Sequence, residues 1–588
     1  MRNEQKNTEK SVVLEKKWWS FRYKNYSKNT HTNWKIKPIF RHILLFLIII
    51  LIAYLFYEQS SKIQTKNFGI FLKRIANIFQ FNSNSTRITG KGTGEYTNLW
   101  SDSLIALWTT IKVGVVGTFT GFILALISTY VSFDKATNKY SSFIFKCLLL
   151  LFRSMPELVL IGLVTKTFQG EFSLLIVYAL FTWLWLHRYY LDMLESIDLK
   201  AYWTSINQGN SKTVAFFKEV WPRAKHRINA LFIFSFESNM RWASILGALS
   251  LPGIGLWIRY GSTSTNFFTE LGIPLSILMV FILLLEIINI VLKRYLFEAK
   301  TKKIIINKDN KSTQMLKLSN HIQWRRIIYG IIVAFFLITT IAYFINVNKW
   351  LFDLSSTKQF LKAFIKPDFS KFSFSSLTPS INPILMIWES LKFSIVALSI
   401  CIVLTILSIR VQNSKINKLW FAFLMRCINI FIRLIPTVVY FYTLDILFAS
   451  PLFLVILIIG VHEMSSKSKQ LTEAIDNLDE EIIANMRLQG YTNNQIFFKF
   501  ILPSIKKDFV SLSLFYFELI FRASITYSIF VNGSKNSLSI GDGIWQNLIE
   551  KGSSYQPNIA MAYAWIGTFS ILTINIFSSI IKKKIYRF

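Results

Sequence analysis

The residues best suited to chemistry in this 588-residue chain are two glutamate-arginine pairs, Glu237 with Arg241 and Glu518 with Arg522, each set in an apolar run. A four-residue interval puts both members of a pair on one helical face. An ion at mid-membrane costs about 2.5–3.5 kcal/mol even on the lenient insertion scale, so four such charges require partners, water or both. Two uses fit. The pairs could be self-neutralising and orient their helices, or the guanidinium forks of Arg241 and Arg522 could face a pathway and meet a phosphate-like anion there. Arg153 and Arg433 each stand three residues before a helix-breaking proline, Pro156 and Pro436. Holding that bend, or snorkelling, suits them better than contact with a substrate.

Other chemistry is poorly provided for. Gly90-Lys91-Gly92-Thr93-Gly94 has glycine after its lysine and no glycine five residues before Gly90, so it does not fit a phosphate-cradling loop. His187 and His462 fall at membrane edges with no second ligand at helical spacing, and Cys147, Cys401 and Cys427 sit in apolar runs without CxxC spacing. No Ser/His/Asp or paired-carboxylate arrangement stands out, so neither catalysis nor a metal or cofactor in this chain is expected.

The elements that must position these charges are membrane helices. The chain is 52% hydrophobic and 16% aromatic with a mean hydropathy of +0.40, and several runs approach the roughly 20 apolar residues that cross a bilayer. We read spans near 43–57, 104–132, 143–166, 172–190, 229–250 and 272–292, then near 327–347, 389–409, 418–445, 448–464, 510–531 and 558–581. The expectation is an all-α integral membrane protein of about twelve helices in two parallel six-helix repeats. A net charge of +34 is distributed as topology signals. Eleven Lys/Arg against three acids precede the first span, ten against two fill the linker from Lys293 to Arg326, and the tail carries Lys582-Lys583-Lys584. By the positive-inside rule these segments are cytoplasmic, with both termini and the loops 191–228 and 465–509 on the same side. Lys349, Lys358, Lys362, Lys366 and Lys371 in the outward loop 348–388 pull the other way without reversing the reading. Trp18, Trp19, Phe21, Tyr23 and Tyr26 interleave with basic residues before a retained anchor helix, a mix that suits lipid headgroups rather than nucleic acid.

One pattern is stated twice. Trp108 precedes Pro156 by 48 residues, as Trp388 precedes Pro436. Glu195-Ser196-Ile197-Asp198 answers Glu473-Ala474-Ile475-Asp476, and Gly209 and Gly490 follow their prolines by 53 and 54 residues. Thirteen residues past each glycine comes Pro222 or Pro503, and fifteen further on Glu237 or Glu518. Shared composition alone would not hold such offsets in register. The glycine-to-proline interval predicts a short helix, a glycine turn and a second short helix stopped at the proline, presented on the cytoplasmic face.

That loop resembles the coupling loop of ABC-importer permeases, an EAA word followed by a glycine and then I-x-L-P. Gly490 with Leu502-Pro503 fits, and Gly209 with Trp221-Pro222 fits with Trp for Leu, while the EAA letters are replaced by Trp203-Thr204-Ser205 and Ala484-Asn485-Met486. Arg153-Ser154-Met155-Pro156-Glu157-Leu158-Val159 and Glu237-Ser238-Asn239-Met240-Arg241 ahead of Gly247, Gly253 and Gly255 are similar to the phosphonate-transporter permease family, over about 104–292 and 385–581. As two fused copies the chain also resembles the membrane subunit of the high-affinity three-component transport system of mycoplasmas. The second copy departs with Ser528 at the place of Gly247 and an insertion before Gly541-Asp542-Gly543.

The resemblance implies a duplicated type I importer transmembrane domain in the plasma membrane, working with two ABC ATPase subunits that hold ATP-Mg and with an extracytoplasmic substrate-binding lipoprotein. The segments are then 1–42, a basic cytoplasmic terminus; 43–103, an anchor helix and outward segment; 104–292, the first permease repeat; 293–326, a basic linker; 327–384, a helix and outward loop; and 385–588, the second repeat and tail. Phosphonate, phosphite, phosphate and thiamine pyrophosphate all suit the family as cargo. A secondary transporter or channel using the Glu/Arg pairs for coupling leaves the duplicated loop unexplained, and a membrane-bound enzyme lacks a catalytic cluster.

Overall fold

The computed structural model describes residues 22–26, 32–36, 38–85, 97–262, 268–292, 324–346, 352–531, 538–548 and 555–587. Most of the basic linker and the Gly90–Gly94 run lie outside them. Contacts divide the chain into Met1–Ser60 and Ser61–Phe588. The first unit holds a hairpin of β1 (Arg22–Tyr26) and β2 (Thr32–Ile36), not foreseen in the sequence, and the apolar helix α1 (Pro38–Gln59).

The second unit is helical, with one further two-residue strand pair, β3 (Asn84–Ser85) and β4 (Thr97–Asn98). It begins with α2 (Phe68–Ile78). The first repeat follows as α3 (Leu99–Ser132), α4 (Lys139–Ser154), α5 (Glu157–Thr167), α6 (Gly170–Ser196), α7 (Lys200–Asn207), α8 (Lys212–Ala215), α9 (Trp221–Ala248), α10 (Ile254–Ser262) and α11 (Phe268–Leu292). After α12 (Trp324–Asn346) and α13 (Leu354–Ile365) the series recurs. It runs α14 (Pro383–Gln412), α15 (Leu419–Leu434), α16 (Thr437–Leu444), α17 (Pro451–Asp476), α18 (Glu480–Leu488), α19 (Asn493–Ile496), α20 (Leu502–Ser504), α21 (Lys506–Thr526), α22 (Ser539–Leu548) and α23 (Pro557–Arg587).

Among the described residues nine helices are long and apolar enough to cross a membrane, or eleven if two bent pairs count as spans. The segment expected as a further span, 229–250, is helical within α9 but carries too many polar residues to count among these candidates. The bent pairs explain why 143–166 and 418–445 read as long runs. α4 meets α5 at 88°, and α15 meets the helix from Thr437 to Leu447 at 82°. Pro156 and Pro436 stand at the two breaks with extended ψ of 138° and 141°, and Met155 and Ile435 before them are extended as well. A residue preceding proline is pushed out of the helical region, so the chain must turn there.

The segments that precede α3 and α14 cross between repeats. α2 packs on α11 of its own repeat and on α16 of the other; α13 packs on α23 and α5 in the mirrored way. Ile63 bridges Phe448, and Phe352 bridges Phe168. Gln64 N–H donates to the Leu447 carbonyl at 2.8 Å, matched by Asp353 N–H to Thr167 at 2.9 Å. Asp353 also caps α13 by accepting from Ser355 and Ser356, hydrogen bonds that hold its carboxyl down to about 2. α12 packs on α3 and presents Phe336 to Phe119, Phe232 and Phe236.

Candidate functional site

Each glycine-proline loop is built from the same parts. α7 ends at Gly209 with φ +91°, and α18 ends at Gly490 with φ +84°. Gly209 and Asn210 N–H donate back to Ile206 and Ser205, as Gly490 and Tyr491 do to Arg487 and Met486, closing both helices with left-handed glycine caps. No atom stands within 4 Å of where a Cβ would sit on either glycine, so conformation and not space selects glycine. Ser211 starts α8, and Thr492 with Gln495 makes a full capping box at α19.

The expected stop at proline is corrected by the structure. Phe216–Val220 and Phe497–Ile501 are single π-helical turns, and helix resumes at once with Pro222 and Pro503 in its first turn. A wider turn accommodates the ring and the missing N–H without ending the helix. The turn buries Phe216 and Phe497 and projects Phe217 and Phe498, which are 54% and 58% exposed. Trp221, half-buried, lies against Phe217; Leu502 is packed against the cluster around Ile501 and Phe497.

Two anchors hold each loop to the membrane helices, the first between equivalent positions and the second from different donor positions onto equivalent carbonyls. Tyr130 on α3 donates its hydroxyl to Thr213 at 3.1 Å, whereas Arg410 on α14 donates to Asn494 at 2.7 and 3.0 Å. The Lys135 carbonyl accepts from Tyr202 at 2.8 Å, and the Lys415 carbonyl accepts from Arg487 at 2.6 Å. Burial raises the Tyr202 phenol above its ordinary pKa, keeping it a neutral donor. Phe217 and Trp221 also border an apolar groove of about 310 Å³ with Tyr130, Tyr190 and Leu126.

The glutamate-arginine pairs join two buried clusters that bridge the repeats. In one, Arg241 pairs with Glu237, and Glu286 of α11 receives Arg433 at 2.8 Å, Arg241 at 3.2 Å and Lys469 at 2.5 Å. Asn289 donates to Glu237 at 2.8 Å. In the other, Glu518 receives Arg522 at 2.8 Å, Arg153 at 3.3 Å and Asn575 at 3.0 Å. Arg522 also donates to the Arg153 carbonyl, and Thr526 to Glu157 at 3.3 Å. Arg153 and Arg433, each at a proline bend, thus reach across to the opposite repeat.

Glu286 and Lys469 were not singled out in the sequence. Glu286 is an isolated carboxylate in an otherwise apolar run, a signal in itself. Lys469 was hidden by placing 465–509 in a cytoplasmic loop, whereas α17 continues to Asp476. Aligning Glu195 with Glu473 sets Leu191 opposite Lys469, and aligning Asn289 with Asn575 sets Leu572 opposite Glu286. The first cluster therefore has an added ion pair where the repeat-related positions, Leu191 in the first repeat and Leu572 in the second, are both leucine. Among the described residues no group of three or more His, Cys, Asp or Glu is placed to hold a metal ion.

Gly247 and Gly255 bring α9 and α10 into backbone contact, since a Cβ on either would collide with main-chain atoms of the other helix. In the second repeat Gly541 lies against Ile525 and Ser528, so the serine is accommodated there while the second glycine stays.

Comparison with known proteins agrees with this architecture. The chain is 22% identical over 488 residues to the ABC transport system permease protein p69 of Mycoplasma genitalium, covering 83% of this chain and 86% of that protein. It is 24% identical over 422 residues to the p69 permease of Mycoplasma pneumoniae, covering 72% and 76%. No solved structure matches it. Residues 404–587, the greater part of the second repeat, match the family described as the inner membrane component of binding-protein-dependent transport systems, and over that stretch the chain is similar to the permeases of that family.

Proposed function

We propose that this chain alone supplies both transmembrane halves of an ATP-driven importer for a phosphonate or another phosphorus-containing anion, phosphorylated cofactors included. Two ABC ATPase subunits holding ATP-Mg would engage the loops around Gly209 and Gly490, and an extracytoplasmic lipoprotein would deliver the cargo. Both termini would be cytoplasmic. The observation that carries this reading is the pair of loops, each with a left-handed glycine, a π turn and an exposed phenylalanine, tied to α3 or α14 and to the turn that follows. Such anchoring suits transmission of force: closing the ATPases would draw the loops together and rock the repeats about an axis along the membrane normal. The arginines of the buried clusters already have carboxylate partners, which favours a role in fastening the repeats over direct contact with cargo.

The reading is tested by reconstituting the chain with its ATPases and binding protein in liposomes and following uptake of radiolabelled methylphosphonate, phosphate and thiamine pyrophosphate. Uptake of one of them that requires ATP and is lost in Phe217→Asp/Phe498→Asp supports it. Uptake indifferent to ATP would contradict it.

A further inference from the structure

We infer that the two crossing helices, α2 and α13, form a binding surface for anionic phospholipid at the outer seam of the repeats. Each is amphipathic in a way that its packing on the protein does not use up. α13 turns Phe360 and Ala363 inward and leaves Leu354, Leu361 and Ile365 exposed, the last by 77%. Its lysines, Lys358, Lys362 and Lys366, are exposed and have no carboxylate within ion-pair distance among the described residues. α2 repeats the arrangement: Phe68, Ile70 and Leu72 are exposed, Lys66 and Lys73 stand beside them, and Arg74 is turned inward onto Asp445.

Their level in the fold identifies the occupant. Asn82, just past α2, donates to Thr269 at the start of α11, and Asp368, just past α13, donates to Asn558 at the start of α23. Both helices therefore lie at the ends of α11 and α23. Farther along, those two expose Leu283, Leu284 and Ile287, and Phe569, Ile576 and Phe577, the flanks that face acyl chains. A helix that continues a lipid-facing flank with apolar residues and borders it with unpaired lysines fits the headgroup boundary, where lysines meet phosphate and apolar side chains enter the acyl region. Because each helix ties one repeat to the other, the bound lipid would sit on the seam that has to move. Assignment to the outer leaflet rests on the orientation proposed above; the surface itself does not.

The test uses the full chain in nanodiscs of phosphatidylcholine with and without phosphatidylglycerol. Nitroxides placed singly at Leu361 and Leu72 are expected to be reached by oxygen more readily than by a water-soluble nickel complex, with the reverse at Lys362. Native mass spectrometry is expected to find phosphatidylglycerol retained on the wild type and reduced at least about fivefold in Lys358→Gln/Lys362→Gln/Lys366→Gln, since one lysine at a membrane surface already contributes about that factor. Nitroxides at Leu361 and Leu72 as open to nickel as one at Leu377 would overturn the inference and leave the surface to a soluble partner. So would retention unchanged in the lysine variant. The nitroxide measurement leaves the lysines in place, and failure of either arm says nothing about ATP-driven uptake.

Discussion

Glu286 touches three cations, Arg241, Arg433 and Lys469, and is almost fully buried. Removing one partner of a buried cluster leaves an uncompensated charge at a cost of about 3–5 kcal/mol, whereas replacing a whole pair by apolar residues is often neutral. The cluster around Glu518 shows that replacement at the repeat-related positions, with leucine at 191 and 572. Glu286→Leu alone is therefore expected to lower the melting temperature sharply. Glu286→Leu/Lys469→Leu should recover most of the loss, because Arg433 can fall back on Glu237 as Arg153 uses Glu518. Thermal unfolding of the three proteins checks this, and equal destabilisation in the single and double variants would show that the pair is not a separable addition. The glutamate-arginine spacing was legible because four residues make one helical face. Partners 147 and 183 residues away in sequence were not, since no local pattern encodes them.

At the scale of elements the loops are the informative case. Gly490 holds φ +84° in open space, so a substitution meets backbone strain of roughly 1–2 kcal/mol and no clash. Gly490→Ala is expected to weaken ATPase binding by about 5- to 30-fold, and Gly490→Asn, which tolerates the left-handed region, by clearly less. Affinity measured by surface binding separates the two, and identical losses would mean that side-chain volume matters instead. The sequence displayed the glycine turns and the proline breaks because glycine and proline act locally. It did not display the π turns: a proline normally reads as a stop, and only the helix resuming behind Trp221-Pro222 and Leu502-Pro503 shows that the chain widens instead. α9 was legible as a helix by its place in the repeat rather than by its apolarity.

Across the whole molecule the two repeats are interlocked outside by α2 and α13 and at depth by the two ion clusters. None of the crossings could be read from the sequence, because the pairing of Phe352 with Phe168 and of Ile63 with Phe448 is long-range. Paired cysteines at Ile63 with Phe448 and at Phe168 with Phe352 replace residues that face each other across antiparallel bridges, a spacing a disulfide can span. Oxidation is expected to stop uptake while leaving the ATPases bound, and reduction to restore it; uptake that survives full crosslinking would show that the outer seam does not open. The central claim is that one chain provides two docking loops. Native mass spectrometry of the complex purified gently through a tag on this chain addresses it most directly. Two ATPase subunits for each single chain are expected. A lone chain, or two copies of the chain around one ATPase pair, would contradict it.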